Sequence, residues 1–367
     1  MSVTVKNVLD FYCKNLHFID LELTDGFAVT TSNRKTDHLR IAVQENVCFR
    51  SKSTGFEAYD FIHCALPEIN ADEISTETVF LGKVLSAPFL VSGMTGGCSE
   101  ALKINRQLAE VCCETGIAMG VGSQRQMTEQ IDLLESYRIV REKAPRSVIV
   151  GNIGAEQVTR QKDAEPFQRL VDCLEADALA VHLNPLQEML QPEGSGQFRG
   201  VLSGIEMLVK NLSVPIIVKE VGCGISRSVA RQLVDAGVTV IDVAGAGGTS
   251  WAAMESYRGA DSALAEQFWD WGIPTAESLV MVRQMDDVQV IASGGIDNGV
   301  TAAKALALGA HMCGAALPFL RILDREGVTG LVSLIDTWRD ALRLVMFLTA
   351  SLTVNDLQRA GVLQRCE

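Results

Sequence analysis

Short apolar runs rich in β-branched residues alternate along the chain with longer stretches whose apolar positions recur at helical spacing. The runs are "PFLVSGM" (88–94), "AMGVG" (118–122), "SVIVGNIG" (147–154), "ALAVHLN" (178–184), "PIIVKEV" (215–221), "VTVIDVAG" (238–245), "VQVIASGG" (288–295) and "MCGAALPF" (312–319). Between them lie helical patterns such as Ala101, Ile104, Leu108 and Val111, which share one face. Gly237 after "RSVARQLVDA" and Gly309 after "TAAKALAL" read as helix C-caps, where glycine takes a left-handed conformation cheaply. Eight strands, each followed by a helix, predict an α/β chain folded as a (β/α)8 TIM barrel over residues 88–350, near the usual size of about 250 residues. A doubly wound sheet ordinarily stops at five or six strands. The remainder divides into an N-terminal extension (1–32), a substrate-binding segment packed on the barrel (33–87) and a C-terminal helix or tail (351–367).

Composition narrows the chemistry. The chain has 367 residues, 47% hydrophobic and 21% charged, enough for a large core. A net charge of −13 argues against a nucleic-acid or membrane-surface binder, although a few local cations can still govern a pocket. Ten cysteines occur without any Cys-x-x-Cys pair, and several, such as Cys173 and Cys313, sit inside apolar runs. They read as reduced core thiols in a reducing compartment. No basic leader with an apolar core and no apolar run of about 18 residues is seen, so a cytoplasmic protein is expected.

A barrel of this kind carries its functional groups at the C-terminal ends of its strands. The predicted strands end in Met94-Thr95-Gly96-Gly97, Gly122-Ser123-Gln124-Arg125, Asn152-Ile153-Gly154-Ala155, "HLNPLQE" (182–188), Lys219-Glu220-Val221-Gly222, "GAGGTS" (245–250), Ser293-Gly294-Gly295 and Gly314-Ala315-Ala316. The last two fall where such barrels hold a phosphate on backbone N–H groups and a helix N-terminus. Lys219, facing Asn152 and Thr95, suits the polar edge of a flat cofactor such as a flavin. Upstream, "NRKTDHLRI" gathers Arg34, Lys35, His38 and Arg40, with Arg125 as another cation at the mouth. The cluster reads either as a solvated basic turn or as a polyanion site. Beside a diphosphate, Glu188 would be repelled by roughly 4 kcal/mol at 4 Å and an effective dielectric near 20. A Mg²⁺ ion between them turns this into attraction. His182 reads equally as a site group or as a core histidine.

Taken together, "RKTDHLRIAV", "ALPEI", "SGMTGG", "MGVGSQR", "GNIGA", "HLNPLQE", "QPEG", "VKEVGCGIS", "GAGGTSW" and "SGGI" resemble, in order and across residues 33–320, the type 2 isopentenyl-diphosphate isomerases. These are flavoenzymes that interconvert isopentenyl and dimethylallyl diphosphate. The resemblance implies that Arg34, Lys35, His38, Ser123, Gln124 and Arg125 hold the substrate diphosphate. It implies that Gln187 contacts the hydrocarbon end or relays a proton, with His182 as the second candidate catalytic residue, and that Glu188 binds Mg²⁺. FMN would be held by Gly93, Met94, Thr95, Ser123, Asn152, Lys219 and Thr249, with its phosphate on Gly294, Gly295, Ala315 and Ala316. The implied reaction is redox-neutral, with reduced flavin as acid–base and NADPH keeping it reduced. The absence of an obvious carboxylic acid pair agrees with a cofactor carrying the chemistry. A homo-oligomer, tetramer or octamer, is implied as well.

Three features depart from the family pattern. About 30 residues precede the Arg34-Lys35 motif, including "NVLDFYCKNLHFID", a packed extra helix or a contact between subunits. Ser195 stands where aspartate is common. Cys98 and Cys223 lie beside cofactor motifs. Single residues speak against other readings. A 2-hydroxy-acid oxidase would need a late catalytic histidine, and only His311 follows Lys219. A nucleotide dehydrogenase would need a cysteine in 245–251, where none occurs. A non-catalytic flavin-binding paralogue would have little use for Gln187, Glu188, Arg34 and Lys35.

Overall fold

The computed structural model describes residues 28–97, 99–128, 134–359 and 361–366. Nearly all of the N-terminal extension, and Cys98, lie outside the described residues. All eight expected strands form, as β1 (Phe89–Val91), β2 (Ala118–Gly120), β3 (Ile149–Gly154), β4 (Ala178–His182), β5 (Ile216–Lys219), β6 (Val240–Asp242), β7 (Gln289–Ser293) and β8 (Met312–Ala315). They pair in parallel in chain order, and β8 closes on β1 through Cys313 opposite Phe89 and Ala315 opposite Val91. The strands are shorter than the apolar runs because each ladder stops where its glycine- or amide-rich end turns out of the sheet.

Two apolar layers follow from strand alternation. Leu90, Ala118, Val150, Ala180, Ile217, Val240, Ile291 and Met312 fill the barrel. Their strand neighbours, such as Val91, Met119, Val181, Val218 and Ile241, pack outward against the helices. The barrel floor is closed by an antiparallel hairpin, Thr78–Phe80 with Lys83–Leu85, which sequence pattern did not suggest. Its Phe80 and Leu85 are buried in the interior cluster. Both predicted cap glycines are left-handed, Gly237 at φ 88° and Gly309 at φ 104°.

The segment before the barrel opens with a helix, Ala28–Gln44, not the surface turn weighed for the basic cluster. Ile41 and Val47 bury against Ala253, Met254 and Trp269, which seats this helix beside the Trp251–Arg258 helix. Arg321 caps its C-terminal end, donating to Ala42 O at 3.0 Å and Glu45 O at 2.7 Å. The chain then bonds to the loop after β6, with Ser250 N on Val47 O and Phe49 N on Gly248 O. At the C-terminus, the helical stretch Leu317–Leu348 is broken at Gly327, and Leu363–Arg365 pairs with Tyr59–Phe61. No disulfide occurs among the described residues. None of the described helices is long and apolar enough to cross a membrane.

Candidate active site

Register sets the first layer of the mouth. His182 stands opposite Lys219, and Lys219 opposite Asp242, so three polar side chains end neighbouring strands at one level. Below them lies a narrow cavity lined by Ser92, Gly93, Asn152, Lys219, Asp242 and apolar barrel residues. Lys219 Nζ donates to Glu220 O at 2.6 Å and lies 3.9 Å from Asp242 Oδ2. Asp242 accepts from Ser293 Oγ at 2.6 Å, and burial raises its carboxyl. Glu220 turns the other way, as alternation requires.

Asn152 orders the histidine. Its Nδ2 donates to Val121 O at 3.0 Å, which leaves Oδ1 as an acceptor 2.8 Å from His182 Nδ1. The hydrogen must therefore sit on Nδ1, with the Nε2 lone pair free of it. Burial, then Lys219, Arg34 and Lys35, push the His182 pKa down to about 3, so the ring is neutral at physiological pH. Gly93 has no room for a side chain: a Cβ would collide with Val121 O and lie 2.9 Å from Asn152 Nδ2.

At β7 and β8 the glycines are obligatory. Gly294 (φ 98°) and Gly295 (φ 75°) are left-handed, and a Cβ on either would strike the 245–247 backbone. Ala315 ends β8 and Ala316 caps the following helix, whose N-terminus faces the same corner of the barrel end. The Ser92 hydroxyl is buried without a hydrogen-bond partner among the described residues, in the wall of the cavity. An amide-lined corner, an orphaned hydroxyl, a lysine and a fixed asparagine around a narrow cavity fit the phosphate and polar edge of FMN.

A second layer of cations lies above. Lys35 Nζ donates to Ser123 O at 2.8 Å and to Gly96 O, and it meets Tyr137 Oη at 3.2 Å, so it ties the ends of β1 and β2 together. Arg34 reaches Gln191 Oε1 at 3.3 Å, and its pKa is lowered by burial and by Arg125. Two guanidiniums set this close favour an anion between them. Arg40 stands apart, exposed and 3.8 Å from Asp37.

His38 Nε2 lies 2.9 Å from Oε1 of Glu255, a fully buried carboxylate that the sequence did not single out. Glu255 also accepts from Gln187 Nε2 at 3.3 Å and pairs with Arg258 at 2.5 Å, and Arg258 in turn grips Glu193. Asn184 donates to both Gln187 Oε1 (3.0 Å) and Glu188 Oε1 (3.1 Å), fixing the first turn of the Pro185–Leu190 helix. Among the described residues no three His, Cys, Asp or Glu side chains converge as a metal site. Glu188 is held at this turn by Asn184 alone among the bonds described.

Other candidates also make contacts that hold the frame. Gln124 is fully buried, accepting from Asn152 N and donating to Leu170 O. Thr95 O accepts from Gly122 N at 2.9 Å, pinning β1 to β2. Met94 is partly buried against the outer core, and Thr249 bridges to Cys48 at the rim. Ser195 donates to Glu156 Oε1 at 2.6 Å, a carboxylate also paired with Arg160. An aspartate there would meet it with like charge. His311 lies at the floor, where its Nδ1 accepts from Val290 N at 3.0 Å.

Known proteins can now be set beside this geometry. Residues 195–364 match the FMN-dependent dehydrogenase family. The chain is 50% identical over 336 residues to the isopentenyl-diphosphate delta-isomerase of Pseudescherichia vulneris, covering 90% of this chain and 96% of that protein. The proteins of the same name from Methanothermobacter thermautotrophicus and Nostoc sp. are 46% and 43% identical, over 90% and 94% of this chain and 93% and 99% of theirs. Among solved structures, a flavocytochrome b2 with pyruvate bound superposes with a TM-score of 0.65 at 18% identity, covering 89% of this chain and 82% of its own. A lactate oxidase from Pediococcus acidilactici gives 0.65 at 15%, covering 91% and 94%. At such identities the two structures share the fold alone.

Proposed function

The chain belongs to the isopentenyl-diphosphate delta-isomerase family, and from that premise we propose a division of labour between the two layers of its barrel mouth. The enzyme is an isomerase of isoprenoid synthesis that interconverts isopentenyl and dimethylallyl diphosphate, on an FMN-dependent fold. The observation that carries the proposal is the stacking of a cationic helix, bearing Arg34, Lys35 and His38, over a cavity walled by Asn152 and Lys219.

In the lower layer, Gly294, Gly295, Ala315 and Ala316 hold the FMN phosphate, Gly93 admits the ring, and Lys219 and Asn152 meet its polar edge. Met94, Thr95, Ser123 and Thr249 complete the walls. FMN, kept reduced by NADPH, supplies the acid–base group for proton exchange on the allylic system. In the upper layer Arg34, Lys35, His38 and Arg125 bind the diphosphate, with Ser123 beside them. Gln124 acts at one remove, through the bonds that fix β2 to β3. Glu188 would hold Mg²⁺, which would supply positive charge to offset the negative charge of the diphosphate.

Gln187, clamped between Asn184 and Glu255, presents its amide to the hydrocarbon end and shields it from water. His182 stays neutral, so its Nε2 accepts a hydrogen bond rather than giving up a proton. A 2-hydroxy-acid oxidase is the weaker reading because His311 sits at the floor of the barrel, far from the strand ends. The proposal includes a cytoplasmic homo-oligomer, tetramer or octamer, which size-exclusion chromatography tests. The function is tested by anaerobic assay of the reduced protein with isopentenyl diphosphate and Mg²⁺. Dimethylallyl diphosphate should form only when FMN is present, and formation without FMN would refute the division.

A further inference from the structure

Glu220 follows Lys219 at the end of β5, so its side chain leaves the strand away from the cavity. It is buried, and a single carboxylate oxygen, Oε2, accepts the N–H groups of Val221 (2.7 Å), Gly222 (2.7 Å) and Cys223. Three successive amides converging on one point form an anion nest, here filled by the chain's own carboxylate. The turn needs its glycines. Gly224 is left-handed at φ 78°, and a Cβ on Gly222 or Gly224 would lie 2.9 Å from Thr249 O or Ile273 O.

The carbonyls of this same turn face the active site. Glu220 O accepts Lys219 Nζ at 2.6 Å, and Val221 O accepts Trp251 Nε1 at 2.8 Å. The Trp251 ring then meets His38 edge-on, with centroids 5.2 Å apart. One carboxylate thus orients the peptide groups that hold a residue of each layer.

We propose that Glu220 is a positioning residue for the isomerisation, setting Lys219 against the cofactor and Trp251 against the diphosphate-binding helix through the Val221–Cys223 nest. This rests on the reading of Lys219 and His38 given above. A merely structural loop staple would affect folding and both ligands without regard to Lys219 or Trp251. The proposal instead requires coupling to each.

Double-mutant cycles on the FMN-loaded protein separate the two. Burial raises the Glu220 carboxyl to about 7, so the cycles are run at pH 8, where Glu220→Gln removes the charge that the nest amides favour. It should weaken FMN binding about tenfold in the otherwise intact chain and less than about twofold once Lys219 is alanine. It should raise KM for isopentenyl diphosphate about fivefold, and less than about twofold in a Trp251→Phe background. Glu220→Asp keeps the charge one methylene short and should fall between; it replaces the glutamine in both cycles if that variant does not fold. Additive effects in both cycles, or unchanged FMN affinity and KM, would overturn the proposal. If Lys219→Ala leaves FMN binding untouched, the Lys219 reading fails by itself. The Trp251 cycle then decides on Glu220.

Discussion

The floor and the mouth of the barrel are built from the same eight strands and have opposite chemistry. At the floor, Phe80 and Leu85 of the hairpin seal an interior of Val148, Ala178, Met312 and their neighbours, with no charge among them. At the mouth, β5 passes from Ile216, Ile217 and Val218 to Lys219, and β6 from Val240 to Asp242. The contrast teaches that stability and chemistry are separated by only a few residues along each strand. A substitution should therefore damage one and spare the other, according to the end at which it falls.

Four experiments test that separation of roles. The largest expected effect is at the floor: Phe80→Ala should cost about 3–5 kcal/mol of stability, read by denaturant unfolding, while kcat of the folded enzyme stays near wild type. At the mouth, Lys35→Ala should lower kcat/KM about a hundredfold, the scale of losing a buried charge contact of about 2–5 kcal/mol, with a smaller loss of stability than Phe80→Ala because only the tie between the ends of β1 and β2 is cut. Glu188→Gln should raise the Mg²⁺ concentration needed for half-maximal rate about tenfold while FMN absorbance is retained. Loss of flavin instead would contradict the assignment of Glu188.

The smallest effect at neutral pH, one that grows only on acidification, is a pH dependence. His182 has a folded pKa near 3, below the ordinary value of 6.5, so the unfolded chain binds a proton that the native chain resists. Stability from this group is full above pH 6.5 and declines as pH falls toward 3. Unfolding measured across that window should show a shallower decline in His182→Gln. An identical decline would mean that the ring is not held neutral.

Most of this contrast was legible in the sequence. Strand alternation announces β1 to β8, and each polar strand end announces the mouth, because period-two patterning and the barrel geometry are local properties. Asp242 carried a usable signal, since it stands two residues after the inward Val240, but its run reads as hydrophobic and conceals it. Glu255 and Arg258 carried none. They sit at ordinary charged spacing on a helix, and what makes them part of the site is His38, 217 positions away. The Ala28–Gln44 helix is hidden in the sequence by its basic cluster, since the residues that seat it, Met254 and Trp269 against Ile41, lie far along the chain. The floor hairpin was missed because its two strands are only three residues long.

The central claim is that one mouth holds the flavin and the diphosphate against each other. Titrating isopentenyl diphosphate with Mg²⁺ into the reduced, FMN-loaded protein, while recording the flavin spectrum, tests it most directly. A saturable spectral change is predicted, unchanged in Phe80→Ala and displaced to about a hundredfold higher substrate concentration in Lys35→Ala. A diphosphate that binds tightly and leaves the flavin spectrum unmoved would contradict the account.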